Sequence, residues 1–196
     1  MSRPLAVAIT GGIGAGKSEA LAAFARHGAA TVSSDEIVHR LLREDEQVRG
    51  ALLDRFGEAI LDDEGEIDRS AIAEIVFADR EALEWLEALL HPRVAAEQAA
   101  WRAELERLPD PPAVCVAEIP LLYETGGQDR FDAVVVVTAS PELRAARAHV
   151  SPERENRLLP DEEKAKRAEY VYVNDGTLEE LDAFVAGVLR DLFARA

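Results

Sequence analysis

The residues best suited to chemistry form a glycine-rich stretch that ends in a lysine and a serine. Residues 11–18 read Gly-Gly-Ile-Gly-Ala-Gly-Lys-Ser and match the G-x-x-x-x-G-K-[ST] pattern of phosphate-binding loops. Glycines let such a loop turn tightly and bring bare backbone N–H groups against phosphate oxygens. The lysine reaches the β- and γ-phosphates of a nucleotide, and the following hydroxyl binds Mg²⁺. We therefore predict an MgATP site composed of Gly11, Gly12, Ile13, Gly14, Ala15, Gly16, Lys17, Ser18 and Glu19.

Two acidic residues follow stretches that are typical of strands, and both are candidates for the chemistry. Asp35 follows the short run 30–32 at the start of a helix, on the carboxyl-end side of a parallel sheet, where ligands bind. Its carboxylate could orient an attacking hydroxyl and accept its proton, although the helix dipole also favours a solvated acid there. Glu118 ends the apolar run 113–117 and, with Ser18, is a candidate ligand of Mg²⁺, directly or through water. A surface acid at the end of a strand is the alternative for Glu118.

A charged segment later in the chain carries the arginines Arg144, Arg147, Arg154, Arg157 and Arg167. Arginines can close over a transferring phosphoryl group, while each of them taken alone also fits a solvated helix face. We predict that residues 144–167 form a mobile segment and a helix.

Apolar runs and helical spacing alternate along the chain. Five runs are predicted to be strands, at residues 5–9, 30–32, 113–119, 133–138 and 170–173. Helices are predicted at residues 18–27, 33–42, 48–56, 69–77, 80–90 and 92–108, from 141 and from 177, with Pro92 in a first turn and capping boxes at Ser33/Glu36 and Thr177/Glu180. Strands that alternate with helices imply an α/β fold with a parallel sheet. The helical block between the second and third strands indicates an inserted subdomain.

The composition limits the classes of protein to which the chain can belong. It has 196 residues, 48% of them hydrophobic, which suits a single domain with its own core. A formal net charge of −16 weighs against DNA or RNA as the main partner. The only cysteine, Cys115, lies in an apolar run and fits a core position in a reducing cytosol. The sequence carries no signal-peptide or membrane-span pattern. We expect a cytoplasmic monomer that binds neither nucleic acid nor membrane.

Six stretches of the sequence carry a resemblance to a known family. They are Ile9 to Ser18, Asp35 to His39, Asp68-Arg69 leading to Val76-Phe77, Leu89-Leu90-His91-Pro92, Ile119-Pro120-Leu121-Leu122-Tyr123-Glu124, and Tyr170 through Asn174 to Gly176. Together, and in this order, they resemble the dephospho-coenzyme A kinase family, which belongs to the P-loop kinases related to nucleoside monophosphate kinases. The resemblance covers nearly the whole chain.

The resemblance implies a fold and a reaction. The fold is that of a P-loop kinase, a central parallel sheet flanked by helices. Its core comprises about residues 1–44 and 109–196, with an inserted helical acceptor-binding subdomain at about 45–108 and a short lid at about 144–167. The reaction is phosphoryl transfer from MgATP to the ribose 3′-hydroxyl of dephospho-coenzyme A, giving coenzyme A and ADP. The alternatives are a kinase for another small hydroxylated acceptor, such as a nucleoside monophosphate, and a nucleotide-dependent switch without transfer chemistry.

The resemblance also implies roles for individual residues. Asp35 takes the place of the catalytic acid, the proposed base for the 3′-hydroxyl, and Lys17 and the loop amides hold ATP. Arg147 matches an arginine near the phosphates, and Asn174 lies in the loop expected beside adenine. The candidates for contact with the acceptor are Asp35, Arg69, Phe77, His91 and Leu121. Packing explains Arg69, Phe77 and His91 nearly as well.

The chain departs from the family pattern at several positions. Ser33 stands where the family usually has an acid, Glu19 where it has a threonine, and Glu118 where it often has an aspartate. The most consequential departure lies between Arg147 and Pro160, where the family's lid is longer and carries a further arginine and a glutamine.

Overall fold

Five parallel strands form the central sheet of the protein. The structure is a computed structural model and describes residues 3–148 and 158–195. The strands are β1 (Leu5–Thr10), β2 (Ala30–Ser33), β3 (Val114–Glu118), β4 (Ala133–Thr138) and β5 (Tyr170–Val173), in the spatial order β2-β3-β1-β4-β5. Each neighbouring pair of these strands is parallel, so their carboxyl ends meet at one edge of the sheet. The prediction of an α/β fold with a parallel sheet is confirmed.

Helices follow the strands as the sequence pattern predicts. They are α1 (Lys17–Arg26), α2 (Ser34–Glu44), α3 (Glu46–Phe56), α4 (Arg69–Ala78), α5 (Arg80–Glu106), α6 (Pro141–Arg147), α7 (Asp161–Ala165) and α8 (Leu178–Arg195), with short 3₁₀ turns at Gly57–Ile60 and Gln128–Arg130. The predicted capping box before α8 is present. The Thr177 N–H donates to the Glu180 carboxylate (2.8 Å), and the Glu180 N–H donates to the Thr177 hydroxyl (3.2 Å). Two unpaired N–H groups at the helix start thus find acceptors.

The prediction that Pro92 begins a separate helix is wrong. Pro92 lies inside α5, a single helix of 27 residues. A proline within a helix removes one backbone hydrogen bond and crowds the carbonyl four residues before it. At this point the Arg93 guanidinium donates to the Leu89 carbonyl (2.8 Å), so a side chain supplies a donor to the disturbed turn. Ala82 and Leu90 before the proline and Gln98 after it are all buried, so packing on both sides of Pro92 outweighs its local preference for a first turn.

The elements divide into two compact units. The first comprises Met1–Ser34 and Arg102–Ala196, and the second comprises Asp35–Trp101. The second unit has its own apolar core, built from side chains of α2, α3, α4 and α5. In that core the rings of Phe56 and Trp85 meet edge to face with their centroids 5.4 Å apart. The predicted role of residues 45–108 as an acceptor-binding insertion, and the predicted lid, stay predictions.

The central strand of the sheet, β1, is buried on both faces from Ala6 to Thr10. Successive residues of β1 point to opposite sides, so Val7 and Ile9 pack with Phe24 of α1 and Val185 of α8. On the other face Ala8 joins a smaller cluster that includes Leu122, Tyr123 and Val134. The loop at residues 11–18 therefore leaves the sheet from a fully buried central strand. Within the described part of the chain, no helix is both long enough and apolar enough to cross a membrane.

The start of β1 is held by one carboxylate. Asp132 accepts two hydrogen bonds from the Arg3 guanidinium (2.6 and 2.7 Å) and one from the Ala6 N–H (2.8 Å). The hydrogen bond from Arg3 is the main cause that lowers the pKa of Asp132, with the Ala6 amide and the Arg3 charge adding to it against the effect of burial. A carboxyl group whose pKa is lowered by folding stabilises the folded state in its ionised form.

We predict that Asp132→Asn lowers the free energy of unfolding by about 1 kcal/mol at neutral pH, a modest value because Arg3 is half exposed. The wild-type advantage is complete above the unfolded-chain pKa of about 3.9 and disappears as the pH falls through the lower folded-state pKa. Urea unfolding of both proteins between about pH 2 and pH 7 measures this. Asp129→Asn, at a nearby exposed acid, is the control with the same charge change. A difference in unfolding free energy between the wild type and Asp132→Asn that stays unchanged down to about pH 2 would show that the ionised Asp132 carboxylate is not its cause.

Candidate active site

The loop that follows β1 adopts a conformation that requires glycine. Gly11, Gly14 and Gly16 have φ angles of 142°, 75° and 93°, all in the region that side chains disfavour. A Cβ on Gly11 would overlap the Val137 carbonyl oxygen, because the loop passes directly against β4. The glycines of the motif thus serve both the backbone turn and the close approach to a neighbouring strand.

Lys17 and Ser18 begin α1, directly after the loop. The Lys17 Nζ donates to the Gly12 carbonyl (3.0 Å), so the side chain folds back over the loop instead of extending away from it. Gly16 precedes the helix in a left-handed conformation, and Ser18 is exposed in the first turn. A helix N-terminus presents backbone N–H groups and a positive dipole end. The loop, Lys17 and α1 therefore form one cationic edge suited to phosphate.

Asn174, at the carboxyl end of β5, holds the loop from the side. Its side chain is buried (7% exposed), and its Nδ2 donates to the Ala15 carbonyl (2.9 Å). Its backbone N–H donates to the Thr138 carbonyl of β4 (2.7 Å). Arg147 lies beside it and donates to the Asn174 carbonyl (3.1 Å). The structure thus brings Asn174 and Arg147 to the loop, while their predicted contacts with adenine and phosphate stay predictions.

A second arginine of the predicted cluster touches the loop directly. The Arg144 Nε donates to the Ile13 carbonyl (3.0 Å), and its NH1 lies 3.6 Å from Oδ2 of Asp161. Arg167 instead stacks its guanidinium 5.8 Å from the centre of the Tyr123 ring, which is a packing role. Arg154 and Arg157 lie outside the described residues, as does the middle of the predicted lid.

Asp161 is a residue of the site that sequence reasoning missed. Its Oδ2 lies 2.7 Å from the position that a Cβ on Gly12 would take, so the carboxylate fills the space above the loop. Burial raises the pKa of Asp161, while the charges of Arg144, Lys164 and Lys17 and the Gly12 amide oppose that rise. In the sequence the residue is an acid in the first turn of a short helix, which is common, so no local pattern distinguished it.

Lys164, one turn after Asp161, was also missed as a functional candidate. It is fully buried (0% exposed) and its Nζ lies 2.9 Å from Oε1 of Glu124. The same Glu124 oxygen accepts the Leu159 N–H (2.9 Å), and Nζ also donates to the Pro120 carbonyl (3.4 Å). This buried pair fixes α7 to the turn after β3. The only signal in the sequence was rarity, since the chain has just three lysines.

Glu118 is a buried acid at the carboxyl edge of the sheet. It is 4% exposed and pairs in register with Ile9 of β1 and Ser33 of β2, so the alternative of a surface acid is wrong. A carboxylate and the Ser18 hydroxyl are oxygen ligands of the kind that Mg²⁺ prefers, with the remaining positions taken by water and substrate phosphates. Among the described residues there is no group of three or more His, Cys, Asp or Glu side chains that could hold a metal ion.

The remaining predicted residues belong mostly to the second unit. Asp35 is exposed in the first turn of α2. Arg69, at the start of α4, lies with NH1 3.4 Å from Nδ1 of His39. Phe77 is half exposed at the end of α4, and His91 is exposed before Pro92. Leu121 belongs to the first unit, half-buried in the turn after β3. Their roles toward an acceptor stay predictions.

We predict that Asn174→Ala weakens both the fold and the loop. The Ala15 carbonyl loses its donor, which costs about 1–3 kcal/mol of unfolding free energy, and the loosened loop binds ATP about tenfold more weakly. Thermal unfolding and calorimetric titration with ATP measure the two effects. Val173→Ala, at the neighbouring exposed side chain, is the control and leaves both values unchanged. An Asn174 variant with wild-type ATP affinity would show that the contact does not shape the loop.

Comparisons with known proteins agree with this fold and these motifs. The family model for dephospho-CoA kinase matches residues 5–180. A dephospho-CoA kinase of Protochlamydia amoebophila is 38% identical over 194 residues, which cover 95% of each chain. A crystal structure of a Thermus thermophilus protein has a TM-score of 0.76 and 36% identity, covering 97% of this chain and 99% of that one. The dephospho-CoA kinase from Campylobacter jejuni has a TM-score of 0.70 and 27% identity, covering 95% and 96%.

These likenesses confirm the resemblance found in the sequence motifs, the P-loop kinase fold and the assignment of the chain as an ATP-dependent kinase. The chain belongs to the dephospho-CoA kinase family.

Proposed function

We propose that the chain transfers the γ-phosphoryl group of ATP to the ribose 3′-hydroxyl of dephospho-coenzyme A, giving coenzyme A and ADP. The observation that carries this proposal is the family match over residues 5–180, which includes the whole phosphate-binding loop. The cationic edge formed by the loop, Lys17 and α1 supports it. Phosphoryl transfer depends mainly on positioning and on the neutralisation of developing charge, which such an edge supplies.

In this proposal the loop amides and Lys17 hold the β- and γ-phosphates of ATP. Lys17 would exchange its contact with the Gly12 carbonyl for phosphate oxygens, a short movement for a flexible side chain. Arg147 would add a second positive charge near the phosphates, and its contact with the Asn174 carbonyl supports this position. Asn174 would border the adenine.

Mg²⁺ would be held by the Ser18 hydroxyl and by Glu118, directly or through water. Bound there, the ion would neutralise phosphate charge and orient the γ-phosphoryl group. The buried position of Glu118 at the end of β3, in register with β1, supports this assignment. Glutamate is one methylene longer than the aspartate that the family often carries at this position.

Asp35 would accept the proton of the 3′-hydroxyl and hold that oxygen in line with the γ-phosphorus. Its place in the chain, two residues after the carboxyl end of β2, supports the role, because ligands of parallel sheets bind beyond the carboxyl ends of the strands. Residues of the helical segment 45–108 would bind the acceptor, with Arg69, Phe77 and His91 as candidates and Leu121 as a further one. We further propose that the protein acts as a cytoplasmic monomer.

The reaction is tested by measuring ADP release from MgATP with and without dephospho-coenzyme A, and by mass analysis of the product. We expect acceptor-dependent release and a product heavier by one phosphoryl group. Lys17→Ala is the control, since loss of its charge abolishes transfer. Equal or faster turnover with a nucleoside monophosphate would show that dephospho-coenzyme A is not the preferred acceptor. Tight ATP binding without transfer to any acceptor would favour a nucleotide-dependent switch.

We predict that Asp35→Asn binds ATP normally and loses at least about a hundredfold in kcat, because an amide cannot accept the proton. Steady-state kinetics and ATP titration separate the two quantities. Glu36→Gln, at the adjacent exposed acid, makes the same charge change and leaves kcat within about twofold of the wild type. A wild-type kcat in Asp35→Asn would remove Asp35 from the chemistry.

A further inference from the structure

Asp161 occupies a position that its sequence context does not explain. Its side chain is only 15% exposed, and its Oδ2 has no hydrogen-bond partner among the residues that the structure describes. Buried carboxylate oxygens normally have donors, because an unsatisfied buried charge is costly. The oxygen instead faces the phosphate-binding loop, within 2.7 Å of a Cβ position on Gly12. The carboxylate thus lies beside Gly12, whose backbone amide favours its charged form.

The positive groups around Asp161 are those that phosphate would use. Arg144 lies 3.6 Å from Oδ2 and also binds the Ile13 carbonyl of the loop. The ammonium of Lys17, which donates to the Gly12 carbonyl, also contributes its positive charge to the surroundings of Asp161. A carboxylate and a phosphate are both oxygen anions that bind backbone amides, lysine and arginine. The same donors cannot hydrogen-bond fully to a carboxylate and to a phosphate at the same time.

The backbone position of Asp161 is held by contacts of neighbouring residues, while its side chain can still rotate. Lys164 lies three residues later on α7, fully buried, and binds Glu124 at 2.9 Å. Leu159 and Ala165 pack against the apolar cluster beneath the sheet, and the Leu159 N–H also binds Glu124. These contacts anchor α7 on both sides of Asp161, so its backbone is held in place.

We infer that Asp161 is an internal substitute for phosphate, which binds the loop in the nucleotide-free enzyme and must leave when ATP enters. The inference rests on the proposed function of the loop as the ATP site. Before the nucleotide binds, Asp161 holds Arg144 and the loop in place. ATP must displace the Asp161 carboxylate, and the loss of its contacts weakens ATP binding. The residue therefore sets the affinity for ATP without taking part in phosphoryl transfer.

The test compares Asp161→Asn and Asp161→Ala with the wild type by calorimetric titration with ATP, without acceptor, in the presence of Mg²⁺ and in its absence. We expect the Kd for ATP to fall about tenfold in both variants and under both conditions, since the competing charge is gone. Glu162→Gln is the matched control. It removes one negative charge from the next residue of the same helix, which is exposed, and leaves the Kd unchanged.

Thermal unfolding gives a second measurement that separates competition from a general structural role. A group that binds the loop only in the absence of nucleotide stabilises only that state. Asp161→Ala should therefore unfold at a lower temperature than the wild type without ATP and at the same temperature with saturating ATP. Lower stability by the same amount in both states would overturn the inference.

Two other outcomes of the titration are also decisive. Weaker binding of MgATP with unchanged binding of metal-free ATP would make Asp161 a metal ligand and overturn the inference. A Kd equal to that of Glu162→Gln would show that the contact has no effect on binding. Failure of the proposed function is distinguishable from both, because then the wild type itself would bind no ATP or Lys17→Ala would bind it equally well.

Discussion

The turn from β1 into α1 depends on contacts with the strands on its carboxyl edge. Gly11 passes so close to the Val137 carbonyl that no side chain fits, and the Ala15 carbonyl is held by the buried amide of Asn174. The Arg144 guanidinium donates a hydrogen bond to the Ile13 carbonyl. The carbonyl groups of Ile13 and Ala15 are thus bound by side chains of neighbouring elements. In a trans peptide the C=O and the N–H point in opposite directions, so the N–H groups of Gly14 and Gly16 face away from those side chains.

The local charge at this turn differs in sign from the charge of the whole chain. A formal net charge of −16 makes the protein repel anions at a distance. Three positively charged side chains nevertheless lie at the loop. Lys17 and Arg144 donate to the loop carbonyls of Gly12 and Ile13, and Arg147 donates to the carbonyl of the adjacent Asn174. Over short distances these groups outweigh the distributed acids, which are largely screened by salt beyond about 8–10 Å. A highly acidic protein can therefore bind a polyphosphate.

The buried pair of Lys164 and Glu124 links two segments that are far apart in the sequence. The Lys164 ammonium is removed from water, which is unfavourable unless each charge has partners. Glu124 and the Pro120 carbonyl provide them, and Pro120 also accepts a hydrogen bond from the Thr10 hydroxyl at the end of β1 (3.2 Å). Removing Glu124 would leave the Lys164 ammonium buried without its carboxylate partner, so the pair holds the two segments together. These contacts fix the positions of the turn after β3, the end of β1 and α7 relative to one another.

The sequence by itself determined the phosphate-binding loop, the parallel α/β sheet and the family, because each of these depends on local spacing. Residues 11–18 require a strand before them and a helix after them, and apolar runs of five or six residues identify buried strands. Local patterns also predicted the capping box at Thr177 and Glu180. They failed at Pro92, where packing of α5 on both sides of the proline outweighs its preference for a helix start.

Only the tertiary structure decided which of the many charged residues contact the loop. Arg144 and Arg147 lie on it while Arg167 packs on Tyr123, although all three look alike in a charged segment. Asp161 and Lys164 sit in a run of acids and lysines that is typical of a solvated helix, yet one lies over the loop and the other is fully buried. Burial and ion pairing between distant segments depend on how the elements pack, and that information is not carried by the spacing of residues along the chain.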